Sequence, residues 1–292
     1  MELIVDKFNH FTRFYGWALS VSDKRVADWF LMQGYTPTLV ITAIYVIFVT
    51  KIGPAFMKDR EPFKLKWPIV IYNFICIAIN AHICTSLLYN TTMVGYNYSC
   101  QPVDFSDNPF EVNIAKALWW FYFSKCVEML DTVFFVLRKK QNQVSFLHVY
   151  HHATMFPIWW MGVKWVAAFF GAMINSFIHV IMYTYYGIAA LGPQYQKYLW
   201  WKRYLTIIQL IQFNVGIAHA IQSLVFQCDF PLWMQYAVVF YAGSILALFL
   251  NFYFQAYIKS QRNAKTKGKQ EKLQNGEKNG VANGHSEPKK EK

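Results

Sequence analysis

His148, His151 and His152 fall within five residues, inside an apolar stretch from Val144 to Val163. Imidazole titrates near neutral pH and can serve as nucleophile, acid, base or metal ligand. On a helix, His148 shares a face with both His151 and His152, at spacings of three and four. Ionisable groups are costly in hydrocarbon, so a cluster there marks a functional site. Further polar residues recur at helical spacing. Lys125, Glu128 and Asp131 lie three apart, on one face, with Lys125 able to pair with Glu128. Asn175, His179 and Tyr183 lie four apart, with Met182, Tyr185 and Tyr186 nearby. Thr206, Gln209 and Gln212 lie three apart, with His219 a heptad beyond.

These stripes need elements that carry them through an apolar solvent. Of 292 residues, 55% are hydrophobic, 19% aromatic and only 15% charged, which is too apolar for an ordinary soluble domain. The N-terminal MELIVDKFNHFTRF lacks the apolar run and small-residue cleavage site of a signal peptide. Apolar runs long enough for a bilayer predict an all-α polytopic membrane protein with seven transmembrane helices. The expected spans are 37–56, 68–89, 114–137, 144–163, 165–189, 205–226 and 233–257. Residues 1–36 form an N-terminal segment, 37–257 the seven-helix catalytic domain, and 258–292 a basic tail without apolar periodicity that reads as disordered.

Loop charge chooses the orientation. Lys58, Arg60, Lys64 and Lys66, then Arg138, Lys139 and Lys140, then Lys197, Lys202 and Arg203 occupy one set of connections. The other set carries Asp104, Asp107, Glu111 and Asp229, with Lys164 as its one base. Basic loops stay in the cytosol, which puts the N-terminus in the lumen and the C-terminus in the cytosol. Lys7, Arg13, Lys24 and Arg25 oppose that assignment, and Glu2, Asp6, Asp23 and Asp28 dilute the objection. Two glycosylation acceptors, Asn90 and Asn97, fall in the lumenal loop after the second span. Cys100 and Cys228 sit in two different lumenal loops, where oxidising conditions permit a bridge. Residues 259–292 hold ten Lys/Arg against four acids, half the net charge of +12. Without a folded basic domain this charge does not point to nucleic acid. Lys289 and Lys290 fit a dilysine retrieval signal, hence the endoplasmic reticulum membrane.

Depth gathers the stripes into one constellation. Asp131 and His148 lie seven and eight residues from the basic boundary, or about 10–12 Å, Gln209 six residues from Arg203, or about 9 Å, and His179 about ten residues from the end of its span, or about 15 Å. Four helices therefore carry polar groups in the cytosolic half, while the lumenal halves are aromatic and aliphatic. A polar chamber continued by an apolar cavity suits an amphiphile with a charged head and a long tail. Bland roles compete. Gln209 and Gln212 fit interhelical hydrogen bonding equally well, and His82 and His219, alone on apolar faces, read as packing residues. A di-iron oxygenase needs about eight histidines in three boxes; His10 and His285 lie outside the spans, leaving six and a single box. Cys126 lies off the polar stripe. Histidine itself remains as nucleophile, able to take an acyl group from a thioester. A lipid receptor or transporter is the non-enzymatic alternative.

The ordered series Lys125-x-x-Glu128-x-x-Asp131-Thr132, Leu147-His148-Val149-Tyr150-His151-His152, Asn175-x-x-x-His179-x-x-Met182-Tyr183-x-Tyr185-Tyr186 and Thr206-x-x-Gln209-x-x-Gln212 resembles the fatty-acid elongase family. With Asp23-Lys24-Arg25, the run Met57–Phe63 and the run Asn142–Phe146, it is most similar to the elongation protein 4 group, which includes enzymes acting on very long polyunsaturated chains. The resemblance runs from about residue 24 to residue 260 and leaves out the tail. It implies six of the seven helices forming a barrel around a substrate tunnel. It also implies condensation of a long-chain acyl-CoA with malonyl-CoA, giving 3-oxoacyl-CoA, CoA and carbon dioxide, with no cofactor and no metal. The other elongation-cycle enzymes (ketoreductase, dehydratase and enoyl reductase) and a second copy of the chain are the protein partners it admits. On this reading His151 is the nucleophile, and His179, Asn175, His148 and His152 are candidate oxyanion donors. Lys125, Glu128, Asp131, Tyr183, Gln209 and Gln212 support them. Arg138, Lys139, Lys140, Lys197, Lys202 and Arg203 receive the polyanionic CoA.

Overall fold

A computed structural model describes residues 12–14, 16–165 and 169–259. Lys7, Lys289 and Lys290 lie outside the described residues. Those described form helices and turns, with no strand among them. Among the described residues, five helices are long and apolar enough to cross a membrane: α1 (Thr36–Met57), α2 (Lys66–Met93), α6 (Phe169–Leu191), α7 (Lys202–Val225), and α8 (Leu232–Tyr253) with its π-helical extension to Lys259. Between α2 and α6 lie α3 (Pro109–Glu128), α4 (Leu130–Leu137) and α5 (Phe146–Lys164). Every expected span coincides with a helix or helix pair, within a few residues at each end.

Local signals set several boundaries. Asn108 caps α3 by accepting from the Phe110 N–H at 3.0 Å, with Pro109 preorganising the first turn. Ser145 is extended and its Oγ accepts from the His148 N–H at 3.2 Å, which starts α5 three residues before the histidines. One expectation is corrected. The 114–137 span is not a single helix, because Met129 interrupts it in a turn between α3 and α4. Neither Pro nor Gly announces the break, and Met129 keeps helical φ/ψ of -59° and -24°.

A first compact unit ends at Leu246 and a second begins at Ala247. In the first, α2 packs most extensively on α6 and on α3, α3 packs on α5, α5 on α1, and α6 on α7. The core is aromatic and aliphatic, with Ile83, Leu87, Ile114, Leu118, Phe121 and Phe156 fully buried. Hydroxyl pairs fasten α1 to the α3–α4 segment: Thr38 to Tyr122 at 2.7 Å and Tyr45 to Thr132 at 2.8 Å. Gly53 permits the close approach of α1 to α4, since a Cβ there would stand 2.7 Å from Val136 Cγ1. In the second unit, Tyr253 and Tyr257 pack ring against ring at 5.2 Å along one helical face.

The segment before α1 folds onto the first unit, with Val26 and Met32 fully buried. Asp23 is buried and paired with Arg25 at 2.8 Å, and its N–H donates to the Lys164 carbonyl. Arg25 also donates to the carbonyls of Asp104 and Ser106. Asp23 therefore neutralises Arg25, one of the bases that opposed the orientation argument, and the 104–106 carbonyls accept its remaining N–H groups. Phe14 meets Trp233 at 5.7 Å, so this segment, the loop after α2 and the α7–α8 turn occupy the same end of the bundle.

Candidate active site

Glu128 is the hub. It ends α3 with 1% of its surface exposed, and Lys125, one turn earlier, donates to both its oxygens at 3.0 and 3.1 Å. The spacing of three makes that contact possible on a helix. Lys125 also donates to Asn175 Oδ1 at 3.0 Å and lies over the Phe121 ring at 4.3 Å. On α6, one turn from Asn175, His179 Nδ1 meets Glu128 Oε1 at 3.1 Å. Facing a carboxylate, Nδ1 is the protonated nitrogen, which leaves Nε2 with its lone pair. Because Asn175 accepts through Oδ1, its amide N–H groups remain available to a ligand.

The second carboxylate has separate partners. Past the Met129 break, Asp131 accepts from the Tyr183 hydroxyl at 2.9 Å. Among the described residues it makes no hydrogen bond to Lys125 or an imidazole; Glu128 and Asp131 instead meet His179 and Tyr183, one turn apart on α6, so both carboxylates face the same helix. Gln209 reaches the Met182 sulfur at 3.5 Å, a weak contact, and Gln212 is half-buried on α7.

The α5 histidines stand together. The His148 and His152 rings are 4.5 Å apart, and those of His151 and His152 5.5 Å. Phe135 packs on His148 at 5.4 Å, and His148 Nε2 is buried with no hydrogen-bond partner among the described residues. Tyr45 packs on His152 at 6.4 Å and hydrogen-bonds Thr132, and Phe135 packs on His148, so the triplet lies against the α4 segment that follows Glu128. Imidazoles, a carboxylate–imidazole pair and amide donors are groups of the kinds that acyl-transfer chemistry uses.

The family described as ELO: GNS1/SUR4 matches residues 30–265. The chain belongs to the ELO family. It is 56% identical over 260 residues to human "Very long chain fatty acid elongase 4", covering 88% of this chain and 82% of that protein. The mouse protein of the same name is 57% identical over 253 residues, covering 86% and 81%. Rat "Very long chain fatty acid elongase 7" is 42% identical over 260 residues, covering 87% and 92%.

The remaining sequence candidates of this ELO chain are spread over its two ends. Arg138, Lys139 and Lys140 follow α4, Lys197 sits in a 3-10 turn, and Lys202 and Arg203 open α7. Lys139, with φ of 53°, donates to the Lys58 carbonyl at 3.0 Å, which joins two of the basic connections. At the opposite end Cys100 and Cys228 form a disulfide with Cα atoms 5.4 Å apart. Asn97 is exposed, whereas Asn90 is 4% exposed inside α2. The Asn90 amide donates to the Ser86 carbonyl at 2.7 Å, so its nitrogen is committed in the folded chain. His219 Nε2 donates to the Tyr98 carbonyl at 2.8 Å and packs on Phe170, and His82 packs on Trp120, contacts that packing residues make. Cys126 is partly buried against the apolar core.

Helix α2 contributes what spacing arguments missed. Asn80 is fully buried and its Nδ2 approaches Glu128 Oε1 at 3.5 Å. Tyr72 donates to the Val127 carbonyl at 3.4 Å and packs edge-on against Tyr183 at 6.0 Å. The available signal was two asparagines, Asn73 and Asn80, seven residues apart and so on one face in the apolar first half of the helix.

Proposed function

We propose that the chain is a condensing enzyme of very-long-chain fatty-acid elongation, a 3-oxoacyl-CoA synthase. It joins a long-chain, typically polyunsaturated, acyl-CoA to malonyl-CoA. The observation that carries the reading is the histidine triplet beside the Lys125–Glu128–His179–Asn175 network, in a chain of the ELO family. His151 attacks the acyl thioester carbonyl, forming an acyl–nitrogen bond as the carbon–sulfur bond breaks and CoA departs as thiolate. Malonyl-CoA then loses carbon dioxide, and the electron pair of the broken bond becomes an enolate at C2. That carbon attacks the acyl group, the new carbon–carbon bond forms, and the imidazole is released. Asn175, held through Oδ1 by Lys125, offers its N–H groups to the oxyanions. His148 and His152 are the remaining donors. Glu128 orients His179 and Lys125 rather than reacting.

The membrane arrangement follows the same reading. Seven spans result when α3–α4 and α5 are added to the five apolar helices; Lys125, Glu128, Asp131 and the histidines are what lower their hydropathy. Contacts run α2–α3–α5 and α2–α6–α7. Tyr150–Ser244 and Thr154–Tyr241 hydrogen bonds join α5 to the first half of α8, and Ser223–Gln235 joins α7 to it. That circuit supports a six-helix barrel about an acyl tunnel, with α1 outside on α5. The basic ends of α4 and α7 face the cytosol of the endoplasmic reticulum membrane and receive CoA. The disulfide-tied end faces the lumen. The product, a 3-oxo thioester, requires reduction, dehydration and a second reduction, so the other cycle enzymes are the expected neighbours. Purified protein given labelled acyl-CoA and malonyl-CoA tests the proposal. A two-carbon extension with carbon dioxide release is expected; turnover of neither substrate would return the chain to a receptor or transporter role.

A further inference from the structure

Three helices meet at the two site carboxylates. The α3–α4 segment carries Glu128 and Asp131. Helix α6 sends His179 to the first and Tyr183 to the second. Helix α2 sends Asn80 to the first and, two turns earlier, sets Tyr72 beside the Asp131–Tyr183 pair.

We propose that Asn80 is a positioning residue of this site, holding Glu128 from α2 so that His179 keeps its proton on Nδ1 and its lone pair on Nε2. The proposal takes its purpose from the condensing reading above and adds a helix to the machinery. Glu128 Oε1 is the point of convergence: it receives Lys125 at 3.1 Å, His179 at 3.1 Å and Asn80 at 3.5 Å. An amide nitrogen has two hydrogens. One of those on Asn80 goes to the Cys76 carbonyl at 3.0 Å, and the other faces the carboxylate. Flipping the amide would set Oδ1 against two acceptors, so the chemistry of the neighbours fixes its orientation. The same constraint leaves Oδ1 buried without a hydrogen-bond partner among the described residues. An apolar side chain in this fully buried site would not carry that cost. Asn73 shares the bond to the carbonyl four residues back and a buried Oδ1 without a partner among the described residues; what sets Asn80 apart is the second N–H, which faces Glu128. The long 3.5 Å contact fits steering of a carboxylate already neutralised by Lys125, rather than a main source of stability.

Asn80→Leu and Asn80→Gln, each as full-length protein in detergent, test the assignment. In Asn80→Leu we expect kcat for condensation to fall about tenfold or more, as for other partners of site ligands, with KM for acyl-CoA little changed. Asn80→Gln keeps the amide donor and should recover part of the loss. Nitrogen-15 histidine spectra give a readout independent of turnover. The His179 signals should report the Nδ1-protonated ring in the wild type and a tautomer mixture in Asn80→Leu. Unchanged His179 signals in Asn80→Leu would overturn the proposal, and so would a lower melting temperature with wild-type kcat in the folded fraction. Failure of the wild type to condense its substrates would instead remove the functional reading, with the nitrogen spectra still deciding the role of Asn80.

Discussion

A buried cation–carboxylate pair one turn apart is stable only while both partners remain. Removing the Lys125 ammonium strands Glu128, 1% exposed, against His179 and Asn80. Lys125→Met should therefore destabilise by about 3–5 kcal/mol, whereas Lys125→Met combined with Glu128→Gln should recover much of the loss. Thermal melts of the two variants, as a double-mutant cycle with Glu128→Gln, measure the coupling; additive effects would dissolve the hub. His151 makes a different prediction, because its role is in the reaction. His151→Ala should melt as the wild type does and make no 3-oxoacyl-CoA. Protein incubated with labelled acyl-CoA and no malonyl-CoA should retain the label only when His151 is present. An unlabelled wild type that still condenses would favour a ternary complex with His151 as base.

At the scale of elements, the bridge between Cys100 and Cys228 ties the loop after α2 to the α7–α8 turn across 128 residues of sequence. Constraining an unfolded loop of that length contributes about 4–5 kcal/mol in the chain-entropy account. Insertion into a bilayer already confines the chain, so the measured gain should be smaller. Cys100→Ser and Cys228→Ser should each lower the melting temperature in detergent, and the double variant should be no worse than either single one. Two independent thiols would give small additive effects instead. The neighbouring strap is pinned as well: Tyr96 donates to Glu111 at 2.6 Å, and the Tyr98 hydroxyl pairs with Thr91. Burial and the Glu111 carboxylate push the Tyr96 hydroxyl well above its ordinary pKa. It stays protonated, and stays a donor, at any physiological pH.

For the whole molecule, sidedness and chain length are the measurable properties. The strap presents Asn97 to solvent while α2 encloses Asn90. Asn97→Gln should abolish the glycosidase-sensitive mobility shift of protein from microsomes and Asn90→Gln should leave it; a shift from neither would reverse the proposed orientation. A product profile over acyl chains of graded length then reports the tunnel's depth. The sequence by itself determined the helical class, the helix positions, the His148–His151–His152 group and the Lys125–Glu128 pair. All of these depend on periodicity and spacing within one segment, which a helix converts directly into shared faces. Tertiary structure alone decided that Asp131 pairs with Tyr183, that His179 chooses Glu128, and that Asn80 on α2 approaches the same carboxylate. Those contacts join residues about 50 apart in the chain, and their partners follow from the register between helices. Side-chain packing fixes that register, and no local pattern encodes it. The same holds for the sequons: both are legible as triplets, and only burial tells the enclosed Asn90 from the exposed Asn97.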